Sequence, residues 1–194
     1  MKHISCDYFK FLDGVTPEIT GLQPAIYFLN SKLNKETKEL IQNNNIYLFY
    51  SIGPGCISKI RMSNDEVLTR LIVIDKTLTY DLLKFDPTEI AAEILHEVGH
   101  YLNSPPVEDK SKVEYYADDF ARKNGLGLQL KNGLNKYINV IDSYTNEPIK
   151  RFFFKDLSKQ NQIVKMINSR IERILNNAPI LTGIIENSNS NSKI

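Results

Sequence analysis

The segment His96-Glu97-Val98-Gly99-His100 contains two histidines and a glutamate at a spacing that suits metal-dependent hydrolysis. Residues four apart lie on one face of an α-helix, so His96 and His100 can reach the same ion. Neutral imidazole nitrogens are suitable ligands for Zn²⁺, which lowers the pKa of a water that it binds to about 7. Glu97 can take that water's proton while the water attacks a carbonyl carbon. The pattern therefore predicts a catalytic zinc site.

The residues before this motif carry a complete signal for the start of a helix. Asp86 suits the N-cap, Pro87 the first helical position and Glu89 the third, where it completes a capping box. Phe85 and Ile90 occupy the two positions of a hydrophobic staple. A helix is therefore predicted to begin at residue 87.

The same helix is predicted to end at about Asn103, because Pro105 and Pro106 prevent its continuation. Its apolar residues lie on more than one side, which is typical of a helix buried in a domain. Two histidines on a buried helix need polar partners, and a metal ion supplies one. The apolar residues are Ala91, Ala92, Ile94, Leu95 and Val98.

A third metal ligand is expected to be a carboxylate. Only three histidines are present, and we expect His3 to lie in a frayed N-terminus. The best candidates lie in the predicted helical segment 111–121, where Glu114 and Asp118 share a stripe with two small residues, Ala117 and Ala121. The alanines allow close approach to the helix that carries Gly99. Glu114 is predicted to bind the metal, while Asp118 accepts the other N–H of a ligand histidine.

Two alternatives compete with this assignment. Ser111 and Glu114 could form a capping box, in which Glu114 would need no metal. Asp118 would then be the third ligand. Asp119 points about 100° away from Asp118 and is expected to be solvated.

The sequence H-E-V-G-H followed by E-Y-Y-A-D-D-F-A resembles the gluzincin metallopeptidases, over residues 87–123. The E-x-x-A-D form is similar to that of the membrane-associated gluzincins, and the short gap between the motifs is similar to that of the soluble ImmA/IrrE-type peptidases. The resemblance implies zinc binding by His96, His100 and Glu114, with Glu97 as general base and Asp118 behind a ligand histidine. It also implies a zincin-like fold.

The whole chain of 194 residues is long enough for one domain with a sizeable core. We predict a single domain over residues 1–180 and a flexible tail over residues 181–194, which are rich in Asn and Ser. The formal net charge of +1 provides no electrostatic case for a nucleic-acid or membrane partner. Without an evident signal peptide or a run of about 20 apolar residues, the protein is expected to be soluble and cytoplasmic.

The remaining segments predict an α+β fold, in which a small sheet of three or more strands packs on the H-E-x-x-H helix and further helices follow. Residues 24–42 have helical spacing interrupted near Asn34 and could form one bent helix or two. Residues 46–50, 56–62 and 67–75 are predicted strands, and the third has a continuous apolar run over residues 71–74 that is consistent with a covered sheet. Residues 126–141 and 156–176 are predicted helices, and Arg170 falls on the amphipathic stripe of the second.

The predicted function is that of a soluble zinc-dependent endopeptidase acting on a protein or peptide substrate. The alternative is a non-catalytic interaction or assembly protein that retains a metallopeptidase fold. The presence of Glu97 favours the enzyme, because a purely structural site needs no general base. A toxin that acts on a host protein is a third possibility, for which no secretion signal is visible.

Overall fold

The computed structural model describes residues 9–11, 22–51, 59–62, 69–75, 81, 83–103, 110–143 and 157–176. His3 and the predicted tail 181–194 lie outside them. The described elements, in chain order, are β1 (Lys10–Phe11), α1 (Gln23–Lys32), α2 (Lys35–Asn43), β2 (Ile46–Ser51), β3 (Lys59–Met62), β4 (Thr69–Asp75), α3 (Pro87–Leu102), α4 (Lys110–Lys123), α5 (Gly127–Ser143) and α6 (Leu157–Asn176). These elements are mostly helical with one small sheet, which confirms the predicted α+β class.

The four strands form one mixed sheet in the order β1-β2-β4-β3. β2 pairs in parallel with both β1 and β4, whereas β3 pairs with β4 in the antiparallel direction. Leu71 and Ile72 are neighbours in β4 and point to opposite faces, yet both side chains are buried. The centre of β4 is therefore covered on both faces, as its continuous apolar run predicts.

Helix α3, which carries the H-E-x-x-H motif, is central among the described elements. It packs against α1, α4 and α5, and it also contacts β4. The Tyr101 hydroxyl donates a hydrogen bond of 2.9 Å to the Leu71 carbonyl oxygen and so joins α3 to the sheet. Six apolar residues of α3 are at most 1% exposed: Ile90, Ala91, Ala92, Ile94, Leu95 and Val98. Burial of these residues holds α3 in place as the framework for its histidines.

The start of α3 is held by the predicted capping box. The Asp86 side chain accepts hydrogen bonds from the Thr88 and Glu89 amides, and the Glu89 carboxylate accepts one of 2.9 Å from the Asp86 amide. Lys136 on α5 forms an ion pair with Glu89 and donates to the Lys84 carbonyl oxygen at 2.8 Å. The first turn of α3 is thus attached to α5.

The interrupted segment 24–42 forms two helices, which decides between the two expectations. The Asn34 side chain accepts a hydrogen bond of 2.8 Å from the Thr37 amide and caps the start of α2. The three predicted strands correspond to β2, β3 and β4, whereas β1 was not predicted. Only two residues of β1 pair with β2, a length too short for a periodic signal.

Candidate metal centre

Helix α3 presents His96 and His100 on one face, as their spacing predicts. Both side chains are buried, at 3% and 7% exposure. Their Nε2 atoms lie 3.0 Å apart, and the two rings meet edge to face. Two imidazole nitrogens at this distance need a proton or a cation between them, because their lone pairs otherwise repel.

Helix α4 brings Glu114 to the same point. Its Oε2 lies 3.3 Å from His96 Nε2, and its Oε1 lies 3.4 Å from His100 Nε2. The helix already begins at Lys110, so Glu114 lies within α4 and its carboxylate is directed at the histidines. This placement is the one expected of a ligand, whereas the capping alternative directs Glu114 at the backbone of its own helix.

The group His96, His100 and Glu114 could hold a metal ion, since one ligand atom from each residue lies within 4.8 Å of the others. Tetrahedral ligands placed 2.0–2.1 Å from zinc lie about 3.3–3.4 Å from one another. The observed separations of 3.0, 3.3 and 3.4 Å are close to that spacing. Two imidazoles and one carboxylate are also a donor set that zinc accepts, so the residues fit this ion.

Close contact between α3 and α4 sets the distance from the histidines to Glu114. A Cβ atom added at Gly99 would lie 2.8 Å from Ala117 Cα, 2.9 Å from Ala117 O and 2.9 Å from Phe120 Cβ. Two of these three atoms belong to backbone and cannot turn aside. The predicted approach of Gly99 and Ala117 is therefore present, and it leaves no room for a side chain at residue 99.

Asp118, one turn after Glu114, contacts the opposite side of the His96 ring. Its Oδ1 lies 2.8 Å from His96 Nδ1. An ionised carboxylate only accepts hydrogen bonds, so the proton of this contact lies on Nδ1. In the neutral ring the lone pair is then on Nε2, the atom that faces His100 and Glu114. Asp118 therefore selects the tautomer that suits a metal ligand.

Arg170, from the distant helix α6, completes the polar cluster. Its Nε and Nη2 donate to the two carboxylate oxygens of Asp118 at 2.8 and 2.7 Å, and its Nη1 lies 3.3 Å from Glu114 Oε2. Sequence reasoning missed this contact and placed Arg170 on the apolar stripe of α6. A charged residue on such a stripe is itself a signal, because a buried charge must find a partner.

The pKa values of Glu114 and Asp118 are both lowered by their neighbours in the cluster. Burial raises the pKa of Glu114 but is outweighed by hydrogen bonds from His100 and His96, which lower it. Burial likewise opposes ionisation of Asp118, but Arg170 and His96 hold its pKa at about 2. Both carboxylates are thus charged at neutral pH, and the cations that face them are the Arg170 guanidinium and the His96 imidazolium.

The two histidines respond differently to this environment. Burial and Arg170 lower the pKa of His96, but the contacts with Asp118 and Glu114 prevail and raise it to about 9. Burial lowers the pKa of His100, and the charge of His96 lowers it further, against the opposing effect of Glu114. The acidic partners therefore make His96 the more basic of the pair, and a more basic imidazole is a stronger metal ligand.

Two further carboxylates lie on α3 near the ligands. Glu97 is half-buried between two buried histidines, and its negative charge is near enough to His100 to raise that residue's pKa. Glu93 is buried, and burial raises its pKa to about 7 although His96 and Arg170 oppose this. Sequence reasoning did not single out Glu93. Glu97 is the carboxylate of this pair with access to solvent.

The expectation that Asp119 is solvated was wrong. Asp119 is 6% exposed and forms ion pairs with Arg122 and Lys123 on its own helix. The direction predicted for its side chain is consistent with these partners, since all three residues lie within one turn of α4. Local pairing within α4 therefore buries a carboxylate that takes no part in the metal centre.

We expect Asp118→Asn to weaken zinc binding by about 10–100-fold, the usual cost of losing a residue that orients a ligand. The amide presents an N–H where Arg170 also donates, so it cannot accept all the hydrogen bonds that Asp118 accepts. Competition with a chromophoric chelator measures the affinity. Asp119→Asn is the matched control, a buried carboxylate on the same helix. Equal affinity in both variants would exclude an orienting role for Asp118.

Comparisons with family models, curated proteins and solved structures found no match to this chain. The gluzincin resemblance therefore remains a prediction from the two motifs. Among the described helices, none has the length and apolar composition needed to cross a membrane. What is established is an α+β fold with two buried histidines and a partly exposed glutamate that together could hold a metal ion.

Proposed function

We propose that this chain is a zinc-dependent endopeptidase of the gluzincin type with a zincin-like fold. The observation that carries the proposal is the convergence of His96, His100 and Glu114 from two helices, with Glu97 between the histidines. A structural zinc site is closed by four protein ligands, whereas a catalytic one has three and leaves a position for water. Three ligand residues and an adjacent carboxylate support the catalytic alternative.

In this proposal His96, His100 and Glu114 hold the zinc. The ion supplies Lewis-acid chemistry: it lowers the pKa of the attacking water and polarises the carbonyl of the substrate. The protein's contribution to this step is a rigid and preorganised ligand set. The burial of α3 and its contact with α4 provide that rigidity.

Glu97 acts as the general base. Its carboxylate removes a proton from water as the water oxygen bonds to the peptide carbonyl carbon. Glu97 then delivers that proton to the amine as the C–N bond breaks, which returns the residue to its ionised state. Because Glu97 directly follows His96 in the sequence, its side chain lies about 100° around α3 from that ligand. The partial exposure of Glu97 gives it access to a substrate.

Zinc titration tests the site, and we expect one zinc ion per chain. Replacing one of the ligands, as in His100→Ala, should lower the affinity by more than the roughly 10–100-fold that loss of an orienting residue costs. His3→Ala is the matched control, because it removes the remaining histidine of the chain. Equal zinc binding by the two variants would contradict the assignment.

Peptide cleavage tests the activity. Zinc-loaded wild-type protein is expected to hydrolyse members of a broad peptide library, and a chelator should stop the reaction. Stoichiometric zinc binding without cleavage of any peptide or protein would instead favour the non-catalytic assembly protein. The two measurements therefore separate a metal site from an enzyme.

A further inference from the structure

Arg170 occupies a position that the proposed chemistry does not use directly. It is 7% exposed, and its Nη2 lies 3.3 Å from His96 Nδ1, the ring nitrogen that does not face His100. One guanidinium contacts both acidic residues of the centre, Asp118 through two hydrogen bonds and Glu114 through Nη1. Helix α6 thereby meets the two helices that carry the ligands.

We propose that Arg170 is a positioning residue, which orients His96 through Asp118 and orients Glu114 directly. This inference deepens the proposed function and rests on it, since it concerns two of the three residues assigned to zinc. The contacts of Arg170 within the described residues are with Asp118, Glu114 and His96 Nδ1, and not with the Nε2 atoms. Its effect passes through the two carboxylates.

The first part of the inference rests on Asp118 Oδ1, which accepts hydrogen bonds from both Arg170 and His96. Asp118 Oδ1 lies 2.7 Å from Arg170 Nη2 and 2.8 Å from His96 Nδ1, and the two nitrogens are 3.3 Å apart. Arginine only donates, so Nη2 and Nδ1 both direct their hydrogens at Oδ1. Nε binds the other oxygen and prevents the carboxylate from turning. The orientation of Asp118, and with it the His96 ring, therefore depends on Arg170.

The geometry also distinguishes a positioning role of Arg170 from a role that only links two helices. A link between α4 and α6 would need only the two hydrogen bonds from Arg170 to Asp118. The third nitrogen, Nη1, lies 3.3 Å from the same Glu114 oxygen that is 3.3 Å from His96 Nε2. Arginine has a planar fork with fixed angles between its donors, which lysine lacks. One rigid group therefore sets the relative placement of both carboxylates.

The test compares Arg170→Lys with Arg173→Lys. Arg170→Lys retains the positive charge but cannot make the two-pronged contact with Asp118. Arg173, one turn later on α6, lies over the Tyr115 ring at 4.6 Å and serves as the matched control. Arg170→Met removes the charge as well. If that variant does not fold, the result for Arg170→Lys decides the test.

Two readouts are used, neither of which requires peptide cleavage. The first is the exchange rate with solvent of the His96 Nδ1 proton in the metal-free protein, followed by proton NMR. The second is the zinc dissociation constant. For Arg170→Lys we expect several-fold faster proton exchange and zinc binding weakened by about 10–100-fold. Arg173→Lys should match the wild type in both.

An unchanged exchange rate and zinc affinity in Arg170→Lys would overturn the inference, even if the variant were less stable. Lower stability alone would identify Arg170 as a structural link between α4 and α6. Failure of the proposed function has a different signature, namely no peptide cleavage by zinc-loaded wild-type protein. The NMR comparison still decides the role of Arg170 in that case, because it needs neither zinc nor substrate.

Discussion

Glu97→Gln is expected to abolish peptide hydrolysis while zinc remains bound and the fold intact. The amide has nearly the same shape as the carboxylate but cannot accept the proton of the attacking water. General-base catalysis contributes about 10²–10⁴-fold to rates, so cleavage should fall by at least that range. Rates are compared at matched zinc content on peptides that the wild type cleaves.

Glu172→Gln provides the control for this experiment. It makes the same change of carboxylate to amide at an exposed position on α6. Its activity and zinc affinity should equal those of the wild type. Equal cleavage by Glu97→Gln and the wild type would exclude Glu97 as the base, whereas loss of zinc from Glu97→Gln would identify it as part of the ligand set.

Gly99→Ala is expected to damage both stability and metal binding, although it adds only one methyl group. The new Cβ would lie within 3 Å of backbone atoms of Ala117, so α3 and α4 must separate. Overpacking of this kind typically costs about 1–3 kcal/mol in free energy of unfolding. Because Glu114 is carried by α4, separation also moves its carboxylate away from the histidines. Denaturant unfolding and zinc titration measure the two effects.

Gly127→Ala is a suitable control at another helical glycine. Its Cβ would meet side-chain atoms of Arg122 and Ile174 at 3.1 Å or more, and the nearest belongs to a flexible side chain. Alanine is also the better helix former by about 1 kcal/mol. This variant should therefore retain its stability and zinc affinity. If Gly99→Ala behaved in the same way, close packing of α3 on α4 would not determine the geometry of the centre.

Local signals allowed much of this centre to be predicted from the sequence. The capping box of α3 involves residues three apart, and the shared face of His96 and His100 follows from helical geometry. The same periodicity placed Glu114 and Asp118 on one stripe of α4. Interactions within one or two turns of helix need no knowledge of the tertiary fold, which explains why these features could be read from the chain.

Long-range features could not be predicted in the same way. The parallel pairing of β2 with β4 depends on a crossover between distant segments, and two-residue β1 shows no periodicity. Arg170 and Asp118 are 52 residues apart in the chain, and no spacing rule connects them. The sequence shows that Arg170 lies on an apolar stripe, but it does not show which residue pairs with the guanidinium. The partner depends on which helix α6 contacts, and that is set by the whole core.

Because Arg170 lies on α6, the ribosome adds it to the chain after all the other residues of the centre. A ribosome that adds about 5–20 residues per second needs roughly 3–10 s to extend the chain from Asp118 to Arg170, which are 52 positions apart. Over that interval the nascent chain contains both histidines, Glu97 and both carboxylates, but it lacks the guanidinium. The centre therefore acquires its last buried cation only when nearly all of the described chain has been made.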